Sequence, residues 1–138
     1  MFGQIVIPIT AVADIVAARQ SGRELAHENG LSGAESTLVA TIISELARNI
    51  VLYAHEGEIR LERTNNSDRQ GVIIVSKYNG PGIEDVRRVL VGGYSTSGGL
   101  GLGLSGIKRI ADEFRIETAT GKGTTVVATV WTHNGQHR

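Results

Sequence analysis

Fourteen lysines and arginines cancel fourteen aspartates and glutamates in this 138-residue chain, which excludes the broad positive field that nonspecific nucleic-acid and anionic-membrane binding depends on. Hydrophobic residues make up 41% and charged residues 20%, a globular balance that argues against disorder, and the length suits a single domain, 1–138, around one core. Cysteine is absent, so a disulfide framework, a thiolate metal site and a cysteine nucleophile are excluded.

The chain opens on Met1-Phe2-Gly3-Gln4-Ile5-Val6-Ile7-Pro8, with no basic segment leading into a long apolar one. No apolar run approaches the roughly 20 residues that span a bilayer, so a cytoplasmic protein is expected, with neither membrane nor nucleic acid as partner. Residues 4–9, with Ile5, Val6, Ile7 and Ile9, predict a short strand that stops near Pro8. The helical spacing of Ile15, Ala18, Gly22, Leu25 and Ala26 predicts a helix from Ala11 to about Asn29, with Gly30 as its stop. A second helix is predicted from Gly33 or Ala34 to Ala54, where Leu38, Val39, Ile42, Ile43, Leu46 and Ile50 recur three and four apart.

Strands follow at Glu58–Arg63 and Gly71–Lys77, and the turn-rich stretch Thr64–Gln70 between them makes a hairpin. A long irregular segment then holds Gly80-Pro81-Gly82, a short helix near 84–90 and the run 92–103; a loop of that length inside a compact domain usually serves function. A helix from about Leu104 to Glu113, a strand Phe114–Ala119, a turn at 121–123 and a strand Thr124–Trp131 complete the pattern, and the tail 132–138 is expected to fray. Helices and strands are grouped, without strict alternation. The expected fold is α+β, a two-layer sandwich with helices on one face of a mixed, mostly antiparallel sheet.

Two places carry chemistry. Glu45 and Asn49 are four residues apart on the second helix. With Leu46 at the centre of the apolar stripe, Asn49 lies about 60° and Glu45 about 100° to the same side, so both edge a cleft beside the core. An amide oxygen can ligate Mg²⁺ and a neighbouring carboxylate can deprotonate a hydroxyl, although an acid and an amide at this spacing are more often the polar rim of an ordinary helix. The second place is Ser95-Thr96-Ser97-Gly98-Gly99-Leu100-Gly101-Leu102-Gly103-Leu104, opening directly into the helix of Ile107 and Ile110. Converging backbone N–H groups and the positive end of a helix dipole favour phosphate there. A solvated linker would not carry leucines at every second position. Neither a Walker ending nor a βαβ dinucleotide pattern is present. His27 and His55 lack a second ligand at metal spacing, and the tail histidines His133 and His137 sit in a terminal segment.

On these motifs the chain resembles the GHKL ATPases, whose nucleotide site joins an acid-and-asparagine helix, a glycine turn, a glycine-rich lid and a final Gly-Thr. Glu45-Leu46-Ala47-Arg48-Asn49, Gly80-Pro81-Gly82, Gly98 to Leu104 and Gly123-Thr124 occur in that order. Asp14-Ile15-Val16-Ala17-Ala18-Arg19-Gln20, Ser44 to Ile50 and Tyr94 to Gly101 make it most similar to the RsbT-like serine/threonine switch kinases of sigma-factor regulation. The resemblance implies the Bergerat fold and ATP with Mg²⁺ as cofactors. It implies Asn49 as metal ligand, Glu45 as general base, Gly80 and Gly82 in the glycine turn, Ser97 with Gly98, Gly99, Leu100, Gly101, Leu102 and Gly103 closing over the phosphates, and Thr124 near the adenine. It also implies the partners: a STAS-domain substrate (RsbS/RsbR-like) in a stressosome-like pathway, and a metal-dependent serine phosphatase (RsbU-like) that the kinase then activates. Tyr78 stands where the family has an aspartate that accepts a hydrogen bond from the adenine amino group. That departure leaves open a partner-binding module without nucleotide, and an anti-sigma factor kinase is the other alternative.

Overall fold

The computed structural model describes residues 4–54, 56–79, 103–119 and 123–133. In chain order it runs β1 (Ile5–Ile9), α1 (Val12–Glu28), α2 (Gly33–Tyr53), β2 (Gly57–Asn66), β3 (Arg69–Tyr78), α3 (Gly103–Ile110), β4 (Glu113–Ala119) and β5 (Gly123–Trp131). The short helix expected near 84–90 falls outside the described residues.

Local signals start the helices. The Asp14 carboxylate accepts from the backbone N–H groups of Thr10 and Ala11 at 2.8 and 3.0 Å, giving partners to donors that the first turn of α1 leaves free. At α2, Ser32 and Glu35 form a capping box: the Glu35 N–H donates to the Ser32 hydroxyl at 3.1 Å and the Ser32 N–H to the Glu35 carboxylate at 2.8 Å.

The strands form one sheet in the order β1-β2-β3-β5-β4, antiparallel at each of these four pairings. The hairpin is longer than its composition suggests. Thr64 to Asn66 pair with Gly71 to Arg69, so the turn shrinks to Ser67 and Asp68, because backbone bonds extend the ladder through polar residues that read as loop. Alternation sends Ile59, Leu61, Val72, Ile74, Val126, Ala128 and Val130 to the helical layer, where all are buried. The two-layer α+β expectation is met. α2 lies over β1, β2, β3 and β5 with α1 and α3 beside it. Its Ile42, Ile43, Leu46 and Ile50 are fully or almost fully buried, each worth about 1.5–3 kcal/mol of transfer free energy.

Two boundaries differ from the sequence expectation. α3 ends at Ile110 instead of near Glu113, since the Asp112 N–H donates to the Thr129 carbonyl at 2.9 Å and its carboxylate accepts from the Trp131 N–H at 2.7 Å; the chain is already tied to β5 there. Thr132 and His133, placed in a fraying tail by position alone, are held. Thr132 exchanges bonds with the backbone of Gln70 at 2.8 and 3.2 Å, and the His133 N–H donates to the Glu35 carboxylate at 2.8 Å. Residues 134–138 lie outside the described residues. No helix among the described residues is long and apolar enough to cross a membrane.

Candidate functional site

α2 supplies the first half of the site. Leu46 is 1% exposed and Asn49 is half-buried, while the Glu45 side chain keeps 13% of its surface, so the helix places both polar residues at the edge of the apolar stripe, as their angles predict. Arg48 sits one turn on, its Nη1 3.6 Å from Glu45 Oε2. At that distance and partial exposure the pair contributes a fraction of a kcal/mol.

The ends of the central strands supply the second half. Tyr78, the last residue of β3, pairs with Thr124 at the start of β5, and Thr124 pairs with Thr118 of β4. Two hydroxyls are linked beside Tyr78: Thr124 Oγ1 lies 2.9 Å from Thr118 Oγ1, and Thr118 donates to the Gly123 carbonyl at 3.2 Å. Burial pushes the Tyr78 phenol above its ordinary pKa, with the neighbouring Thr124 side chain pulling the other way, so the phenol stays neutral at physiological pH. Gly123 adopts φ 92° and a Cβ there would stand 2.4 Å from the Tyr78 carbonyl oxygen; glycine is what lets β5 begin this close to β3.

The halves adjoin through Ile50 and Tyr78. A point beside Gly57, where a Cβ would be, is 2.7 Å from Tyr78 Cβ and 3.1 Å from Ile50 Cγ2, and Ile50 follows Asn49 directly on α2. Below Tyr78 on the same face of β3 is Ser76, 1% exposed with no hydrogen-bond partner for its Oγ, a buried hydroxyl that no sequence motif marks. Gly103, with φ 69°, opens α3, and Leu104 after it is buried, so the leucine spacing of the glycine-rich run ends in the core. Gly80, Gly82, Ser97, Gly98, Gly99, Leu100, Gly101 and Leu102 lie outside the described residues.

Thr118 is likewise unmarked in the sequence, since only the β4–β5 register brings it to Thr124. Glu35 is legible in principle as the fourth residue of Ser32-Gly33-Ala34-Glu35. Burial pushes its carboxyl up, but the N–H groups of Ser32 and His133, the Ser32 hydroxyl and the His133 ring together hold it below the usual range. A shallow depression lined by Arg23, Glu24, His27, Glu28, Gly33 and Ser36 lies toward the opposite end of α2 from Asn49, and its mixed charges favour no ligand.

Residues 34–134 match the family described as histidine kinase-, DNA gyrase B-, and HSP90-like ATPase. Over 118 residues the chain is 48% identical to the serine/threonine-protein kinase RsbT of Bacillus subtilis (strain 168), across 86% of this chain and 89% of that protein. Among solved structures, the RsbU and RsbW domains of a Mycobacterium tuberculosis protein align with 93% of this chain at a TM-score of 0.59 and 20% identity. The match takes up 31% of that longer chain, and the likeness is one of fold.

Proposed function

The chain belongs to the histidine kinase-, DNA gyrase B-, and HSP90-like ATPase family as a GHKL serine/threonine-protein kinase of sigma-factor regulation, and from that premise we propose that it phosphorylates a STAS-domain partner. In this reading, release from the phosphorylated partner frees the kinase to bind and activate an RsbU-like metal-dependent serine phosphatase, and both events take place in the cytoplasm. The observation that carries the reading is the arrangement of α2: an acid and an amide one turn apart, at the rim of the core, adjoining the strand ends through Ile50.

The family implies ATP, usually with Mg²⁺, and the donor chemistry can be tested against each half. On the phosphate side the residues fit. The Asn49 carboxamide oxygen is a neutral, hard donor suited to Mg²⁺, and Asn49 is half-buried rather than free in solvent. On the base side the fit is poorer, because no carboxylate stands at position 78 and Thr124 is only 3% exposed.

Asn49 would hold the cation, and Glu45 would accept the proton of the attacking serine or threonine hydroxyl. Bound magnesium neutralises charge on the phosphoryl oxygens. Leu46 and Ile50, buried in the core, anchor α2 so that Glu45 and Asn49 are held at its rim.

Tyr78, packed against the core at the end of β3, favours a second reading, a nucleotide-free module that acts by binding its partner. Calorimetric titration with Mg-ATP, run beside transfer of labelled phosphate to candidate STAS-domain proteins, separates the two. Binding heat with transfer supports the kinase; tight partner binding with neither supports the module and overturns the kinase.

A further inference from the structure

The two edges of the sheet differ in charge. β4, at one edge, alternates Glu113, Arg115 and Glu117, all exposed, with Arg115 Nε 3.5 Å from Glu117 Oε2. Charged side chains of this kind keep a free edge from pairing with another chain. β1, at the other edge, is Ile5-Val6-Ile7-Pro8-Ile9 and carries none. Val6 is 48% and Ile5 38% exposed.

The uncharged surface extends into α1. From Gln4 to Ala18 the one charged residue is Asp14, and its carboxylate is engaged by the N–H groups of Thr10 and Ala11. Val12 and Val16, one turn apart on α1, are 67% and 53% exposed. Four of the six large hydrophobics exposed among the described residues thus lie in this strand–helix unit, which neither attracts a charged partner nor repels its own copy.

Pro8 determines which backbone groups the edge offers. A proline fits an edge strand where its missing N–H would face away from the neighbouring strand. Pro8 stands opposite Glu58 of β2, so antiparallel alternation turns outward the N–H and C=O of Gln4 and Val6 and the C=O of Pro8. A second β1 laid antiparallel with Val6 opposite Val6 matches that set. The two valines exchange both of their backbone bonds, and each Gln4 N–H meets the Pro8 C=O of the other copy. Centring the pair on Pro8 instead would leave no donor in the middle.

We propose that the free edge of β1 pairs with a second copy of this chain, strand to strand about a two-fold axis at Val6, joining the two five-stranded sheets into one. The axis of such a pair is perpendicular to the sheet, so both helical layers fall on the same face. α1 packs over β1, and its exposed valines add apolar area on that face beside the junction. The inference is independent of the kinase reading.

Sedimentation velocity on the full chain over a micromolar to millimolar series tests this, with amide hydrogen exchange measured at both ends of the series. Wild type is expected to pass from monomer to dimer, with the Val6 amide exchanging at least about tenfold more slowly in the dimer. Val6→Lys sets two like charges opposite each other at the axis and should weaken association by about tenfold or more, whereas Arg115→Ala at the other edge should leave it unchanged. Circular dichroism checks that both variants are folded; if Val6→Lys is not, the wild-type amide decides alone. A chain that stays monomeric throughout overturns the inference. So does a dimer in which the Val6 amide exchanges as fast as in the monomer, or one that folded Val6→Lys forms as tightly as wild type, because the contact then lies elsewhere.

Discussion

Replacing Gly123 by alanine probes the junction where the strand ends meet, and its cost has two separable parts. The residue has φ 92°, a conformation that costs an L-residue roughly 1–2 kcal/mol. The new Cβ would also stand 2.4 Å from the Tyr78 carbonyl oxygen and 3.0 Å from Asn79 Cα. Both are backbone atoms that no rotamer change can move, and overpacking of this kind costs about 1–3 kcal/mol. The expected loss is therefore about 2–5 kcal/mol, a large share of the roughly 5–15 kcal/mol that keeps a domain folded. Gly103→Ala is the internal control: φ is 69° but nothing lies within 4 Å of the added atom, so only the first part applies. In urea unfolding, with a slope of about 1–3 kcal/mol/M, Gly123→Ala should lower the midpoint at least about one and a half times as far as Gly103→Ala. Equal midpoints would refute the claim that β5 is held against the Tyr78 backbone.

Glu35 should govern part of the acid stability. Its folded-state carboxyl is held below the ordinary 4.5, so its contribution is present above that pH and is lost as pH falls through the depressed folded value. Glu35→Gln should flatten the decline in thermal midpoint below about pH 4.5, and Glu35→Ala should cost about 0.5–2 kcal/mol at neutral pH through the lost cap; an unchanged acid profile in both would count against the contacts with Ser32 and His133. Ser76→Ala removes a buried hydroxyl that has no partner in the free protein, and urea unfolding should find it neutral or up to about 1 kcal/mol more stable, whereas a loss of comparable size would mean that the hydroxyl is bonded in solution.

The sequence is most legible where one periodicity suffices. α2 can be read from apolar residues three and four apart, and the same angles put Glu45 and Asn49 at the edge of its buried stripe, where they lie. The hairpin is foreshortened in the sequence because Thr64, Asn65, Asn66, Arg69 and Gln70 are turn-type or polar residues, although backbone pairing carries both strands through them. The Thr118–Thr124 hydroxyl pair beside Tyr78 is out of reach for another reason: it depends on strand register, which hydrophobic alternation leaves free by two-residue steps. The tie from His133 to Glu35 joins residues 98 apart in sequence, and no local pattern encodes such a pair. Tyr78 itself is conspicuous in the sequence as a departure from a motif, but its place opposite Thr124 follows only from the way β3 and β5 pair.

The central claim, that Glu45 acts on a hydroxyl during phosphoryl transfer, is tested most directly by the rate of γ-phosphate transfer from Mg-ATP to a STAS-domain partner by wild type and by Glu45→Gln. Removal of a general base should lower that rate by about 10²–10⁴-fold while Mg-ATP affinity stays within about threefold. Transfer at the wild-type rate by the glutamine variant would contradict it.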